Sequence, residues 1–182
     1  TTRCNFSCPH CLRAGIDDKK TIIKDLSPSD FEEVLKEAKK INFHGISITG
    51  GEPILHPQFK ELISLVKKYG YKFNFVTNGW IHKEYWEIIK ENSENLMNIV
   101  VSLDGATANV HDFARNKPGS FDRLMESIKF YKNHGIYVRA TVCLSKKNYE
   151  QIEGIMGLCL KLGISGMKWA TIIPFYNESG IA

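Results

Sequence analysis

Residues 45–53 read Gly-Ile-Ser-Ile-Thr-Gly-Gly-Glu-Pro, a short β-branched run that ends in two glycines and a proline. Such a run is typical of a buried strand, and the glycines mark its end. Apolar residues recur at helical spacing on both sides of it, over residues 27–40 and again over residues 57–70. A strand between two helices is the repeating unit of a parallel sheet with helical crossovers, so this stretch predicts an α/β fold.

The same alternation continues along the rest of the chain. Strands are expected over residues 71–77, 97–103, 136–144 and 167–173, and helices over residues 82–91, 121–133 and 149–162. The segment 106–120 is expected to be a longer connection. Parallel strands joined by right-handed crossovers fit either an open doubly wound sheet or a βα barrel. Both architectures collect functional residues at the carboxyl ends of the strands.

The composition excludes several classes of protein. Of 182 residues, 43% are hydrophobic and 24% are charged, which is ordinary for a globular domain. The net charge of +4 is spread along the chain without a basic stripe interleaved with aromatics, so a nucleic-acid partner is not expected. Neither a membrane span nor a secretory signal is visible. We expect one cytoplasmic domain over residues 1–182, without a membrane partner, whose two ends look trimmed from a larger protein.

Three of the five cysteines fall in one short segment, Cys4-Asn5-Phe6-Ser7-Cys8-Pro9-His10-Cys11. A structural zinc site closes with four ligands, and a cubane iron–sulfur cluster takes one ligand for each of its four irons. Three thiolates therefore leave one metal position open for chemistry. A zinc knuckle and a set of buried cysteines are the alternatives, but Cys143 and Cys159 are too isolated to complete a zinc ribbon. The spacing favours an iron–sulfur site.

The turn Gly50-Gly51-Glu52-Pro53 is the second candidate functional segment. Two glycines at the end of a strand allow a ligand to approach the backbone closely, because a Cβ atom would block it. Glu52 offers an acceptor for an ammonium group. An ordinary turn is the alternative, and a phosphate-binding loop is excluded because no Gly-Lys-Ser/Thr follows.

The cysteine triplet, followed by Gly-Gly-Glu-Pro on a βα frame, resembles the radical S-adenosylmethionine enzymes over essentially the whole chain. The resemblance implies a partial (β/α)6 TIM-like barrel whose first strand is mostly missing from this chain. It also implies a [4Fe–4S] cluster held by Cys4, Cys8 and Cys11, with S-adenosylmethionine on the remaining iron. Reductive cleavage of that cofactor would give a 5′-deoxyadenosyl radical that abstracts a hydrogen atom from the substrate. A flavodoxin or ferredoxin would donate the electron.

The resemblance also implies cofactor contacts outside the cysteine segment. Gly50, Gly51 and Glu52 would bind the methionine ammonium group through backbone carbonyls and a local polar contact, with Pro53 stiffening the turn. His10 stands where the family usually has an aromatic residue near the adenine. Ser102 and Asp104 match a Ser-x-Asp pattern that contacts the ribose or the carboxylate of the cofactor, although Asp104 could also be a turn former before Gly105.

Thr77-Asn78-Gly79 matches a Thr-Asn-Gly that is common at a strand end in this family. Asn78 would either line the site or end the strand. Residues 111–121 resemble the pattern HDxxRGxxGSF of the subgroup that modifies peptides and proteins, with Asn116 where glycine is usual. Arg115 would pair with a carboxylate of the cofactor or the substrate, or would clamp its own loop. Arg139 would either point towards the cofactor or lie exposed on the rim.

The subgroup implies a peptide or protein substrate and a cysteine-rich C-terminal extension, the SPASM domain, that would begin where this chain ends. The alternative within the family is an enzyme of small-molecule cofactor biosynthesis, of the molybdenum-cofactor or haem type. The alternative outside the family is a zinc-binding module without catalysis.

Overall fold

Five strands follow one another in chain order in a single parallel sheet. The computed structural model describes residues 1–12 and 24–172. The strands are β1 (Gly45–Ile48), β2 (Lys72–Thr77), β3 (Leu96–Ser102), β4 (Val138–Leu144) and β5 (Gly166–Thr171). Each strand pairs with the next one in the sequence, which gives the order β1-β2-β3-β4-β5. A doubly wound sheet reverses its order at a switch point, so the sequential order indicates part of a barrel and confirms the predicted α/β class.

Helices connect the strands and cover one face of the sheet. They are α1 (Pro28–Lys40), α2 (Phe59–Lys68), α3 (Lys83–Glu91), α4 (Ala108–Arg115), α5 (Ser120–Asn133) and α6 (Ile152–Lys161). Two short 3-10 turns, Pro53–Leu55 and Tyr149–Gln151, precede α2 and α6. In the described part of the chain, no helix has the length and the apolar composition needed to cross a bilayer.

The prediction of a connection over residues 106–120 was wrong, because α4 lies within that segment. Only His111 and Ala114 are buried along this helix, whereas Phe113 is exposed. A polar side chain and a small one do not make the apolar stripe by which an amphipathic helix is recognised. The other predicted elements are confirmed with small shifts at their ends, and the last residue predicted for β5, Ile173, lies outside the described residues.

The main core lies between the sheet and its helices. Alternate residues of the central strands are buried there, namely Phe73, Phe75, Ile99, Val101, Val138, Ala140 and Val142. Helices contribute Leu35, Leu62, Val66, Leu124 and Ile128 to the same cluster. Because side chains alternate across a strand, the intervening residues point to the concave face of the sheet, away from the helices.

The segment 1–3 runs beside the turn that follows β1. The Gly51 N–H donates to Thr1 O at 2.9 Å, and the Glu52 N–H donates to Arg3 O at 2.7 Å. These two bonds place the segment at the outer edge of β1, next to the carboxyl end of the sheet. The segment leads directly into the cysteine loop, as expected for the end of a first strand that is mostly missing from this chain, and residues 1–12 contain no strand.

Candidate metal and cofactor site

A cavity of about 1200 Å³ opens at the carboxyl ends of β1, β2 and β3. The cysteine loop, residues 4–11, forms one wall of it, and all three cysteines of the loop line the cavity. The turn after β1 and the ends of β2 and β3 supply the other walls, with Gly50, Gly51, Thr77, Asn78 and Ser102 among the lining residues. The structure therefore brings together three of the segments that the sequence singled out.

The three cysteines share this cavity but differ in exposure. Cys8 is buried, whereas Cys4 and Cys11 are exposed. Cys8 and Cys11 are separated by a turn in which the Cys11 N–H donates to Cys8 O at 3.1 Å. Burial raises the pKa of the Cys8 thiol to about 11, against the lowering effect of Arg115. A metal must therefore displace a proton from Cys8 when it binds.

The donor set fits an iron–sulfur cluster, since three thiols face one cavity and such clusters are held by cysteine thiolates. Among residues 1–12 and 24–172 no three His, Cys, Asp or Glu side chains are gathered around one point at the distance that a single metal ion requires. A cubane cluster does not require such a gathering, because each thiolate binds a different iron.

The two glycines after β1 are packed against the protein's own backbone. A Cβ atom on Gly50 would lie 2.4 Å from Thr1 O, and one on Gly51 would lie 2.1 Å from Arg3 O. The close approach that the sequence assigned to a ligand is thus made by the segment that leads into the cysteine loop. Both glycines also line the cavity, so their missing side chains serve the docking of the segment that leads into the loop at the edge of the site.

The Glu52 side chain points away from the cavity. It is fully buried, Oε1 accepts a hydrogen bond from Thr77 Oγ1 and Oε2 accepts one from the Asn78 N–H. Burial raises the pKa of Glu52 to about 7, although both bonds oppose the rise. The expectation that its carboxylate receives an ammonium group is at odds with this geometry. Pro53, also buried, begins the 3-10 turn that follows.

Asn78 joins the end of β2 to the cysteine loop. Its Nδ2 donates to Asn5 Oδ1 at 2.8 Å and lies 3.9 Å from Cys4 Sγ, while its Oδ1 accepts from the Trp80 N–H at 2.8 Å. The side chain is buried and lines the cavity. Asn78 therefore both ends the strand and faces the site, which the sequence had given as alternatives.

Ser102 and Asp104 separate in the structure. Ser102 is half-buried and lines the cavity at the end of β3. Asp104 lies beneath it, 1% exposed, with Oδ2 at 3.1 Å from Arg115 Nη1 and 3.4 Å from His10 Nε2. The Cys143 N–H donates to Asp104 Oδ1 at 2.8 Å. Both carboxylate oxygens are thus occupied by protein groups, which argues against the expected contact of Asp104 with the cofactor.

Arg115 and His10 line the cavity beside the cysteine loop. Their nitrogens, Arg115 Nη1 and His10 Nε2, are 3.4 Å apart. Burial lowers the pKa of His10, against the opposing effect of Asp104. Burial would also lower the pKa of Arg115, but the neighbouring Asp104 carboxylate together with Cys8 and Cys4 outweighs burial and raises that pKa. Arg115 therefore stays charged, and its guanidinium contacts Asp104 and His10 of the protein itself.

Arg139 lies outside the cavity. It is exposed on β4, opposite Val100 of β3 and Gly166 of β5. Strand alternation places it on the concave face of the sheet, opposite the buried Val138 and Ala140. Its contact with the cofactor stays a prediction. Cys159 is buried in the core, and Cys143 is half-buried with its backbone N–H on Asp104.

Several cavity residues were not singled out in the sequence, among them Phe6, Asp25, Thr49 and Val76. Thr49 and Val76 directly precede predicted strand-end motifs, so strand alternation could have found them. Asp25 carried no such signal, because it reaches the cavity from the residues before α1. Its Oδ2 accepts from Arg3 Nε at 2.9 Å, and hydrogen bonds from Thr1 and Arg3 lower its pKa to about 2.

Sequence comparison identifies relatives over most of the chain. The profile of the Radical SAM superfamily matches residues 1–159. The antilisterial bacteriocin subtilosin biosynthesis protein AlbA of Bacillus subtilis is 30% identical over 179 residues, which are 96% of this chain and 38% of AlbA. The AdoMet-dependent heme synthase of Methanosarcina barkeri is 27% identical over 175 residues, which are 96% of this chain and 49% of that protein. The chain thus spans less than half the length of these two relatives.

The fold also matches solved structures. SuiB of Streptococcus suis bound to S-adenosylmethionine superposes with a TM-score of 0.84 at 23% identity, over 100% of this chain and 41% of the SuiB chain. A structure of SuiB bound to its precursor peptide SuiA superposes with a TM-score of 0.81 over 95% of this chain and 38% of that chain. The likeness confirms the predicted partial barrel.

Proposed function

This chain belongs to the radical SAM superfamily, and we propose on that basis that it is the catalytic core of an enzyme that removes a hydrogen atom from a peptide or protein side chain. The observation that carries the proposal is that Cys4, Cys8 and Cys11 line one cavity at the carboxyl ends of the strands. When bound, a [4Fe–4S] cluster and S-adenosylmethionine supply the 5′-deoxyadenosyl radical for this step. The protein contributes orientation and exclusion of water.

Each wall of the cavity has its own part in this arrangement. The three cysteines would hold the cluster, and Asn78 would steady the loop through Asn5. The glycine turn, which lines the cavity beside the loop, would receive the methionine end of S-adenosylmethionine. Ser102 offers a hydroxyl at the end of β3, and Val76 supplies an apolar wall that excludes water.

Anaerobic reconstitution of the whole protein with iron and sulfide tests the cofactor. We expect a brown protein with at least about four irons per chain that, once reduced, converts S-adenosylmethionine to methionine and 5′-deoxyadenosine. Replacing Cys4, Cys8 or Cys11 by alanine should abolish cleavage, whereas Cys159→Ala should retain it, because Cys159 lies in the core. A colourless protein that holds one zinc and no iron would refute the proposal.

A peptide substrate is favoured by two findings about relatives. AlbA is named for the biosynthesis of a bacteriocin, and SuiB has been crystallised with a precursor peptide. Residues 111–121 also resemble the pattern of the peptide-modifying subgroup, and Asn116 at the end of α4 donates a hydrogen bond to Ser7 of the cysteine loop. A small-molecule substrate is the second candidate, because the heme synthase is nearly as similar to this chain as AlbA is.

The yield of 5′-deoxyadenosine distinguishes the two substrate classes. Short peptides encoded beside the gene, or tetrapyrrole precursors, are added to the reduced enzyme. A peptide should raise the yield several-fold and lose hydrogen atoms from a side chain, as read by mass spectrometry. Stimulation by the tetrapyrroles alone would overturn the peptide assignment. A cysteine-rich domain beyond residue 182, a flavodoxin or ferredoxin donor and a cytoplasmic location stay predictions, and more than four irons per whole protein would support the first.

A further inference from the structure

Helix α4 reaches two other parts of the molecule through its polar side chains. On the sheet side, the Asp104 N–H donates to His111 Nδ1 at 3.2 Å, and Arg115 Nη1 donates to Asp104 Oδ2 at 3.1 Å. On the loop side, Asn116 Nδ2 donates to Ser7 Oγ at 3.2 Å. The helix therefore connects the end of β3 to the middle of the cysteine loop.

Asp104 stands at the centre of this connection. Its backbone carbonyl accepts from Asn148 Nδ2 at 3.0 Å, and its Oδ1 accepts from the Cys143 N–H at 2.8 Å. The carboxylate is 1% exposed and faces the Arg115 guanidinium, which is 12% exposed. A charge-assisted bond in such a place is short and directional, and removal of one partner leaves the other as a buried, uncompensated charge.

Arg115 carries the constraint to the cysteine loop. Its guanidinium carbon lies 5.7 Å from the centroid of the Phe6 ring, a cation–π distance, and its Nη1 lies 3.4 Å from His10 Nε2. Phe6 and His10 flank Cys8, which is 7% exposed although Cys4 and Cys11 on either side are exposed. The side chain that covers the loop is thus itself held by Asp104.

We propose that Asp104 is a positioning residue, whose buried carboxylate orients Arg115 so that Arg115 holds the cysteine loop in place and keeps Cys8 buried before metal binds. A ligand of the cofactor would need a carboxylate oxygen directed into the cavity, and both oxygens of Asp104 are bonded to protein instead. The proposal rests on the proposed function only for what the loop binds, since every contact in it is made between residues of the chain itself.

Alkylation of the metal-free whole protein by iodoacetamide, followed site by site with mass spectrometry, tests this role. We expect Asp104→Asn to raise the labelling rate of Cys8 at least tenfold, while the rate at Cys159 in the core stays unchanged. The control is Asp112→Asn, because in the described structure the Asp112 carboxylate accepts hydrogen bonds only from Gly119, Ser120 and Phe121, at the start of α5. Its Cys8 should label within twofold of the wild-type rate.

A second, double variant distinguishes a loss of loop positioning from a change in the charge near Cys8, and it is less prone to unfold than the single variant. The Asp104 carboxylate itself raises the pKa of Cys8 and Arg115 lowers it, so Asp104→Asn with Arg115→Gln removes two opposing effects and leaves no unpaired buried charge. Selective labelling of Cys8 in this double variant supports the proposal. An unchanged Cys8 rate in the folded double variant overturns it, as does an equal rise at Cys8 and Cys159. Because no cluster is present, failure here is independent of failure of the reconstitution.

Discussion

Glu52 Oε1 accepts a hydrogen bond from Thr77 Oγ1 at 2.9 Å, so a buried carboxylate ties the turn after β1 to the end of β2. Its pKa of about 7 lies above the value of 4.5 expected for an unfolded chain. Between these two pH values the folded state holds more protons than the unfolded state does. This contribution to stability therefore falls as the pH rises through that window.

Replacement of Glu52 by glutamine should remove this fall. We expect the difference in free energy of unfolding between wild type and Glu52→Gln to decline from pH 4.5 to pH 7, by at most about 3 kcal/mol. Urea denaturation at a series of pH values measures it, with the surface variant Glu126→Gln as the control. Parallel pH profiles for wild type and Glu52→Gln would contradict the assignment.

Alanine at position 51 should undock the segment that leads into the cysteine loop. The new Cβ atom would lie 2.1 Å from Arg3 O, a contact that only backbone movement can relieve. We expect a loss of about 2–4 kcal/mol in the free energy of unfolding and a lower iron content after reconstitution. Gly157→Ala is the matched control, because nothing lies within 4 Å of its Cβ position in α6. It should stabilise the helix by about 0.5–1 kcal/mol.

His111 should make the fold sensitive to acid. The ring is fully buried, and burial lowers its pKa from 6.5 to about 4. Between these values the unfolded chain takes up a proton that the folded chain does not, so stability falls as the pH drops. His111→Asn keeps an acceptor for the Asp104 N–H and removes the titration. Thermal melting between pH 7 and pH 4 should show a shallower decline for this variant, and an equal decline would refute the role.

The side chain and the backbone of Asn116 can be tested separately. Its φ of 51° is left-handed, which glycine adopts freely and alanine does not. We expect Asn116→Ala to be about 1 kcal/mol less stable than Asn116→Gly in urea denaturation. Both variants lose the bond to Ser7 Oγ, so both should label faster at Cys8 than wild type does. Equal stability of the two would indicate that the left-handed backbone carries no cost.

The strands, the helices with apolar stripes and the meeting of the cysteine loop with the glycine turn could be predicted, because these depend on local periodicity and on the common direction of parallel strands. Helix α4 was missed because its buried face is a histidine and an alanine. Asp104 and Glu52 were placed near the cavity, but the direction of a carboxylate at the end of a strand depends on partners far along the chain. Cys143 lies 39 residues from Asp104, and Thr77 lies 25 residues from Glu52. Residue type alone could therefore not show in which direction either carboxylate points.

The sequential order of the strands has a consequence for the timing of folding. Each strand pairs with the one made just before it, so the sheet can grow in the direction of synthesis. The contact between His10 and Arg115, in contrast, can form only after a further 105 residues have been made. The cysteine loop therefore spends the early part of chain growth uncovered. During that interval Cys8 is open to iron carriers and to oxidants as Cys4 and Cys11 are, until α4 has been made and folds against the loop.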